Sequence, residues 1–432
     1  MKTAMLPALA DPRPETPIQA RLATRPIIDA SFLRDPYSAY RALREAGPIH
    51  WSDEFFGGAW LLTRHEDVEA VLRDPLYSAR RTGGWVMRGT EDSRLMFCPF
   101  QRLFSRAMLF LDAPDHTRLR QVLNAGFRPA ALRGFSGAIE QMAASLMDAL
   151  DETEEFDFMG RIARPLPAMV IARLLGMDSG SQPDLFDWSE DLGAFIGSPD
   201  PDLGLKRRAQ TSLLKMSAAF EAILERRQTE RASLPQNEEK DLIGRLLDAA
   251  SAGTIEAGAE LLAQCAMLLF AGHETTKNLL GNGLHLLLSH PEQWKRLQQT
   301  PELLPSALRE FLRYESPVQY TGRRVTTDVV LHGQLLRRGD LVVPLIGAAN
   351  RDPERYSNPD VLDIGRREGS HLSFGQGPHV CIGAALTQME ADIVFRALLT
   401  RWPVLERLDS EPAWNCNPVY RGHSRLRVRR RR

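Results

Sequence analysis

Three observations predict a mainly α-helical single domain with small β-sheets. From Pro114 to about Ser306 the apolar residues recur with a helical period, segment after segment. One segment, "EAGAELLAQCAMLLFAGHETTKNLLGNGLHLLLSHPEQW", holds that period for about thirty residues. Between Tyr320 and Leu345 the period changes, and glycines separate β-rich runs in "TTDVVLHGQLLRRGDLVVPL".

The elements follow in order. Residues 1–34 read as an N-terminal extension and 35–432 as the domain. "DPYSAYRALREAGPIHW" predicts a short helix and a turn. In "IHWSDEFFGGAWLLT", apolar runs flank Gly57 and Gly58, the pattern of a hairpin. "RHEDVEAVLRD" is helical until Pro75. The stretch after it, with Trp85, Met87 and Phe97, mixes glycine, proline, charge and aromatics; irregular segments of that length often carry function. Helices then continue to the small sheet, with "TERASLPQNEEKD" as a polar connection and not a domain boundary. A further helix follows Cys381, and short strands close the chain near "NPVYRGHSRLRV". The run "RLRVRRRR" reads as a solvated basic end.

A formal net charge of -1 gives no reason to expect nucleic acid or an anionic membrane surface as partner. The four cysteines are widely spaced and form no C-x-x-C pair, which argues against structural zinc and disulfide scaffolds and fits reduced thiols in the cytoplasm. The N-terminus has too little apolar length for a signal peptide. The longest apolar stretch falls well short of the ~20 residues that span a bilayer, so no membrane span and a soluble protein are expected.

Two places resist a purely structural account. The middle of the long helix is apolar all round, yet it contains Gly272, Glu274, Thr275 and Thr276. Threonine hydroxyls bonded back one turn would make this a kink. Equally, a kink would open space for a ligand and aim an acid and an alcohol into it. "HETTK" misses the zinc pattern H-E-x-x-H because Lys277 stands at the second histidine. The second place is "SFGQGPHVCIGAALTQME". Cys381 lies between a glycine-rich turn and an apolar helix start, where backbone N–H groups favour a thiolate. Such a thiolate serves either as a nucleophile, with His379 nearby as base, or as the single axial ligand of haem iron.

At this point the residues resemble the cytochromes P-450. "FGQGPHVCIG" fits the haem-binding loop F-G-x-G-x-H-x-C-x-G at every fixed position. "AGHETT" resembles the oxygen-activating helix motif, "EFLR" the E-x-x-R helix, and "DAPDHTRLR" the bacterial segment beside the haem propionates, all in the right order. The resemblance covers the chain from about Asp35 onward. It implies the P-450 fold: a triangular, helix-rich single domain with haem b (iron protoporphyrin IX) between the long central helix and the Cys-loop helix.

The resemblance also implies roles. Cys381 would be the proximal thiolate on iron, with Phe374 packed on the loop and Gly383 giving room beside it. His116 and Arg120 would hold one propionate, Arg323 and His371 the other. Glu310, Arg313 and Arg366 would form a buried structural ion network. Glu274 and Thr275 would be the distal acid–alcohol pair that handles protons, with Ala271 and Gly272 leaving room for O2 and substrate. Substrate walls would come from Trp85, Met87, Phe97, Leu268, Ala271, "PVQYT" and "NPVY". The implied activity is monooxygenation of an apolar small molecule, by hydroxylation or epoxidation. No second cofactor fingerprint occurs, so electrons would come from a separate ferredoxin or flavodoxin with its NAD(P)H reductase, docking near Arg118, Arg128 and Arg367. The rivals are a peroxide-driven fatty-acid hydroxylase or decarboxylase, a non-catalytic haem binder, and a cysteine-dependent hydrolase.

Overall fold

A computed structural model describes residues 27–81, 103–177, 184–198, 201–231 and 241–431. Asp29 caps α1 (Ala30–Arg34) by accepting from the Ser31 and Phe32 amides, and Asp35 with Pro36 starts α2 (Pro36–Ala46). The described part of the predicted extension therefore packs on the body. Phe32 is buried, its ring edge-on to Tyr40 at 5.6 Å.

The predicted hairpin forms as β1 (Ile49–Ser52) and β2 (Ala59–Leu62), with Trp51 opposite Trp60. It does not stand alone. β2 pairs in parallel with β8 (Leu341–Pro344), β8 pairs with β5 (Arg323–Val325), and β5 with β3 (Tyr77–Ser78). The hairpin and part of the predicted small sheet thus fuse into one sheet, because each alone would leave an open edge. The rest of that small sheet is a separate hairpin of β6 (Val329–Leu331) and β7 (Gln334–Leu336).

The helical body is built around one element. α4 (Asp115–Asn124), α5 (Pro129–Asp148), α6 (Pro165–Leu174), α7 (Asp184–Gly197), α8 (Leu203–Arg231) and α9 (Leu242–Ser251) precede α10 (Ala259–Ser289). α10 packs on α6, α7, α8, α12 (Leu304–Tyr314) and α14 (Ala384–Arg401), so it must be apolar on every side. His290 leaves helical geometry and Pro291 opens α11 (Pro291–Gln299), where the sequence predicts the stop.

The basic run near the C-terminus departs from expectation. β12 (Arg427–Arg430) is the middle strand of a sheet, between β4 (Glu155–Asp157) and β9 (Leu405–Arg407). Val428 is buried, and the arginines are paired: Arg427 with Glu155 and Asp409 at 3.6 Å each, Arg429 with Glu155, Arg431 with Glu406 at 2.7 Å. Acidic neighbours remote in sequence neutralise the run and let it pair on both edges.

Candidate active site

Cys381 sits two residues before Gly383, the N-cap of α14, so the helix begins later than its sequence pattern predicts. The loop before it is closed by the Cys381 amide donating to the Phe374 carbonyl at 2.7 Å. Gly375 and Gly377 both take φ +70. At Gly377 a Cβ would lie 2.9 Å from backbone atoms of Leu72 and Arg73, so only glycine lets the loop lie against the end of α3 (His65–Arg73). The N–H groups of Gly383 and Ala384 point at the Cys381 sulfur. Burial outweighs them and pushes the thiol's pKa above its usual value, with the two N–H groups and Arg120 opposing the rise. The turn alone does not ionise the thiol; a bound metal ion would.

Cys381 opens into a cavity of about 320 Å³. Phe374, Ala271 and Thr275 line it, as do His116, Arg120 and Arg323. Four predicted residues do not line it, one of them Gly383, the N-cap of α14. His371 does not line the cavity; its ring packs on Phe374 at 5.5 Å, and burial, with Arg309 and Arg313 nearby, holds its pKa down to about 4. Gly272 faces away: a Cβ there would meet Ile171 of α6 at 3.0 Å, so this glycine serves helix packing. Glu274 is buried but points toward α7 and does not line the cavity.

His379 also lines the cavity, its ring 4.1 Å from that of His116. It belongs to the F-G-x-G-x-H-x-C pattern itself, and that was the signal for it. Arg81, which sequence reasoning did not single out, also lines the cavity, with its guanidinium 4.8 Å from the Phe110 ring. One end of the cavity thus gathers Arg81, His116, Arg120, Arg323 and His379. Among the described residues no Asp or Glu lines the cavity. Nearby Asp112 is engaged by Ser78 and the Ala79 amide. The cost falls on their charged forms. Burial, then Arg81, brings the Arg323 pKa down to about 9, and burial brings Arg81 down to about 10. Burial, then Arg323, His116, Arg81 and Arg120, brings His379 down to about 2. Arg81 Nη1 and His116 Nε2 are buried without a hydrogen-bond partner. Buried cations and orphaned donors at this density fit a bound dianion, as the two haem propionates are.

On the other side of α10 the acid–alcohol pair separates. The Thr275 hydroxyl donates to the Ala271 carbonyl at 3.1 Å, the back-bond expected of a mid-helix threonine, while still facing the cavity. Glu274 accepts from Lys277 Nζ at 2.8 Å and from Asn278 Nδ2 at 3.4 Å. Lys277 reaches Glu190 at 3.2 Å, and Glu190 holds Arg164 at 2.8 Å. Burial works against the Lys277 charge, but the two carboxylates more than offset it and raise its pKa. Side-chain exposure climbs along this row, from 6% at Glu274 to 41% at Arg164.

Of the predicted walls, Leu268, Ala271, Pro317, Val318, Tyr320, Thr321, Val419 and Tyr420 line the cavity. Asn417 instead ties that loop to α7, its Nδ2 donating to the Gly193 carbonyl at 3.0 Å. Trp85, Met87 and Phe97 lie outside the described residues. No helix among the described residues is long and apolar enough to cross a membrane.

Comparison with known proteins gives a single answer. The family model for cytochrome P450 matches residues 60–418. The chain is 37% identical to cytochrome P450 107B1 of Saccharopolyspora erythraea over 93% of this chain and 96% of the relative. It is 33% identical to the biotin biosynthesis cytochrome P450 of Bacillus subtilis over 90% and 94%. The solved structure of P450BioI with an acyl carrier protein bearing hexadec-9Z-enoic acid superposes with a TM-score of 0.85 at 32% identity, covering 93% of this chain and 100% of that one. The chain belongs to the cytochrome P450 family: it is a P450 oxygenase that uses haem b held by a cysteine thiolate.

Proposed function

We infer that the protein is a monooxygenase that inserts one oxygen atom from O2 into an apolar small molecule, as a hydroxylation or epoxidation. The observation that carries this reading is the division of the cavity. Part of its lining is a socket of cations; Met108, Leu109, Met267, Leu268 and Val419 supply an apolar part, and Thr275 also lines it. Haem held by Cys381 supplies O2 binding and its reductive activation when present. Arg81, His116, Arg120, Arg323 and His379 bind and orient its propionates. The apolar wall excludes water and takes the substrate. Thr275 presents a hydroxyl to the cavity. The row Glu274, Lys277, Glu190 links buried Glu274 toward the surface, each member within hydrogen-bond reach of the next.

Electrons come from a separate ferredoxin or flavodoxin with its NAD(P)H reductase, in the cytoplasm. Arg128 and Arg367 are exposed and suit a docking face. Arg118 does not, since Glu260 holds it at 2.6 Å and 2.9 Å. Residues 35–432 form the catalytic unit.

Thr275→Ala tests the reading. The variant should keep the haem spectrum and substrate binding while product formed per NAD(P)H falls and hydrogen peroxide rises. Unchanged coupling would overturn the role of Thr275.

A further inference from the structure

We propose that the substrate carries a carboxylate and that Lys206 binds it, a claim that rests on the monooxygenase reading of the same cavity and narrows its substrate class. Lys206 lies in the first turn of α8 and lines the cavity beside Ile196, Ser198 and Pro201, where α7 gives way to α8. α8 packs on α7, α9 and α10, whereas the propionate cations His116, Arg323 and His379 sit on α4, β5 and the Cys loop. Lys206 therefore belongs to a different wall from the socket that serves haem.

No acidic side chain lines the cavity among the described residues, and no described carboxylate pairs with Lys206. The neighbouring Arg208, in contrast, faces Asp191 at 3.8 Å. Lys206 is half-buried and lines the same cavity as Ile196 and Pro201, so its ammonium can meet a ligand's counter-charge there. The propionates would be held by Arg81, Arg120 and Arg323, so Lys206 is free to serve another anion. A carboxylate fits: it accepts from the ammonium in a charge-assisted hydrogen bond, while the rest of an apolar molecule fills the wall of Met267, Leu268 and Val419. Ser198 also lines the cavity and is a second polar group there. Anchored at one end, such a substrate presents carbons remote from its carboxylate to the haem.

The test is spectral titration of the holoenzyme with matched pairs, each an apolar carboxylic acid and its primary alcohol and methyl ester. The pairs include an unbranched alkyl, a terpenoid and an aryl skeleton. For at least one skeleton the acid should bind wild type about tenfold tighter than the alcohol, the scale of one charge-assisted hydrogen bond. Lys206→Met should erase that preference without changing binding of the alcohol, and Lys206→Arg should retain it. Turnover of the preferred acid by Lys206→Met should give a broader mixture of oxidised positions. If no acid outbinds its neutral partners, or if the preference survives in Lys206→Met, the anchor is overturned while alcohols and esters still report on the cavity. If no apolar compound of any charge perturbs the haem spectrum or is oxidised, it is the monooxygenase reading that fails.

Discussion

Arg313 and Arg323 are near neighbours in the chain and almost equally buried, at 2% and 5% exposure, yet their surroundings are opposite. Arg313 meets both oxygens of Glu310, at 2.7 Å and 2.8 Å, and donates to the carbonyls of Asn350 and Pro359. Arg366 reaches the same Glu310 at 3.2 Å. Every charge there has an answer within the chain. Arg323 has one hydrogen bond, to the Gly322 carbonyl at 2.9 Å, a more distant Asp112, and two further arginines, Arg81 and Arg120, within electrostatic reach of the same histidine, His379. A buried charge network completed by the chain supports the fold. One left incomplete is a receptor for an anionic group.

The sharpest way to break that contrast is to open the completed network. Glu310→Ala leaves Arg313 buried without its carboxylate, a loss of about 3–5 kcal/mol. Thermal unfolding should show it with and without haem. The socket should behave in the reverse sense. Arg323→Met removes a cation that costs stability in the haem-free chain, so the apoprotein should melt no lower than wild type. Haem affinity should fall by about tenfold or more, since a charge-assisted bond is worth roughly 1.5–3 kcal/mol. Transfer of haem to an excess of apomyoglobin measures it. An apoprotein destabilised as much as Glu310→Ala would erase the distinction.

A third, smaller effect comes from acid. His273 is fully buried, and burial, then the Lys277 charge, brings its pKa down to about 3. The unfolded chain takes up a proton near pH 6.5 and the folded one does not. Stability is therefore complete above about pH 6.5 and declines toward pH 3, by up to about 1.4 kcal/mol per pH unit for this histidine. His273→Phe should flatten the dependence of unfolding on pH between about 6 and 4; an unchanged slope would place the acid sensitivity elsewhere.

How much of this could be read in the sequence depends on whether a feature is local. α10 and its stop at His290 are legible because period and proline act within a few residues. The Cys381 loop is legible because its glycines answer to nearby backbone. Arg81 escapes such reading: it stands in an irregular stretch, and its role exists only where β5, α4 and the Cys loop converge. His379 is weighed from the sequence only as a base for Cys381, and the structure places it on the cavity beside His116, while His371 turns its ring onto Phe374. Gly272 shows the opposite error. A glycine in a functional motif was credited to ligand space when Ile171 claims it. The arginines of β12 look solvated until the acidic residues that pair with them are placed, and Glu155 lies 274 residues from Arg429.

That last separation has a consequence for how the molecule is made. During synthesis β4 leaves the ribosome long before the strand that will lie beside it, and β9 also waits for β12 at its side. The helices around α10 rest on contacts available earlier, so the body can assemble while this sheet is still two strands with a gap. Until residues 427–430 arrive, a nascent chain carries open strand edges and unmatched acidic groups, the features by which quality-control machinery tells unfinished proteins from finished ones.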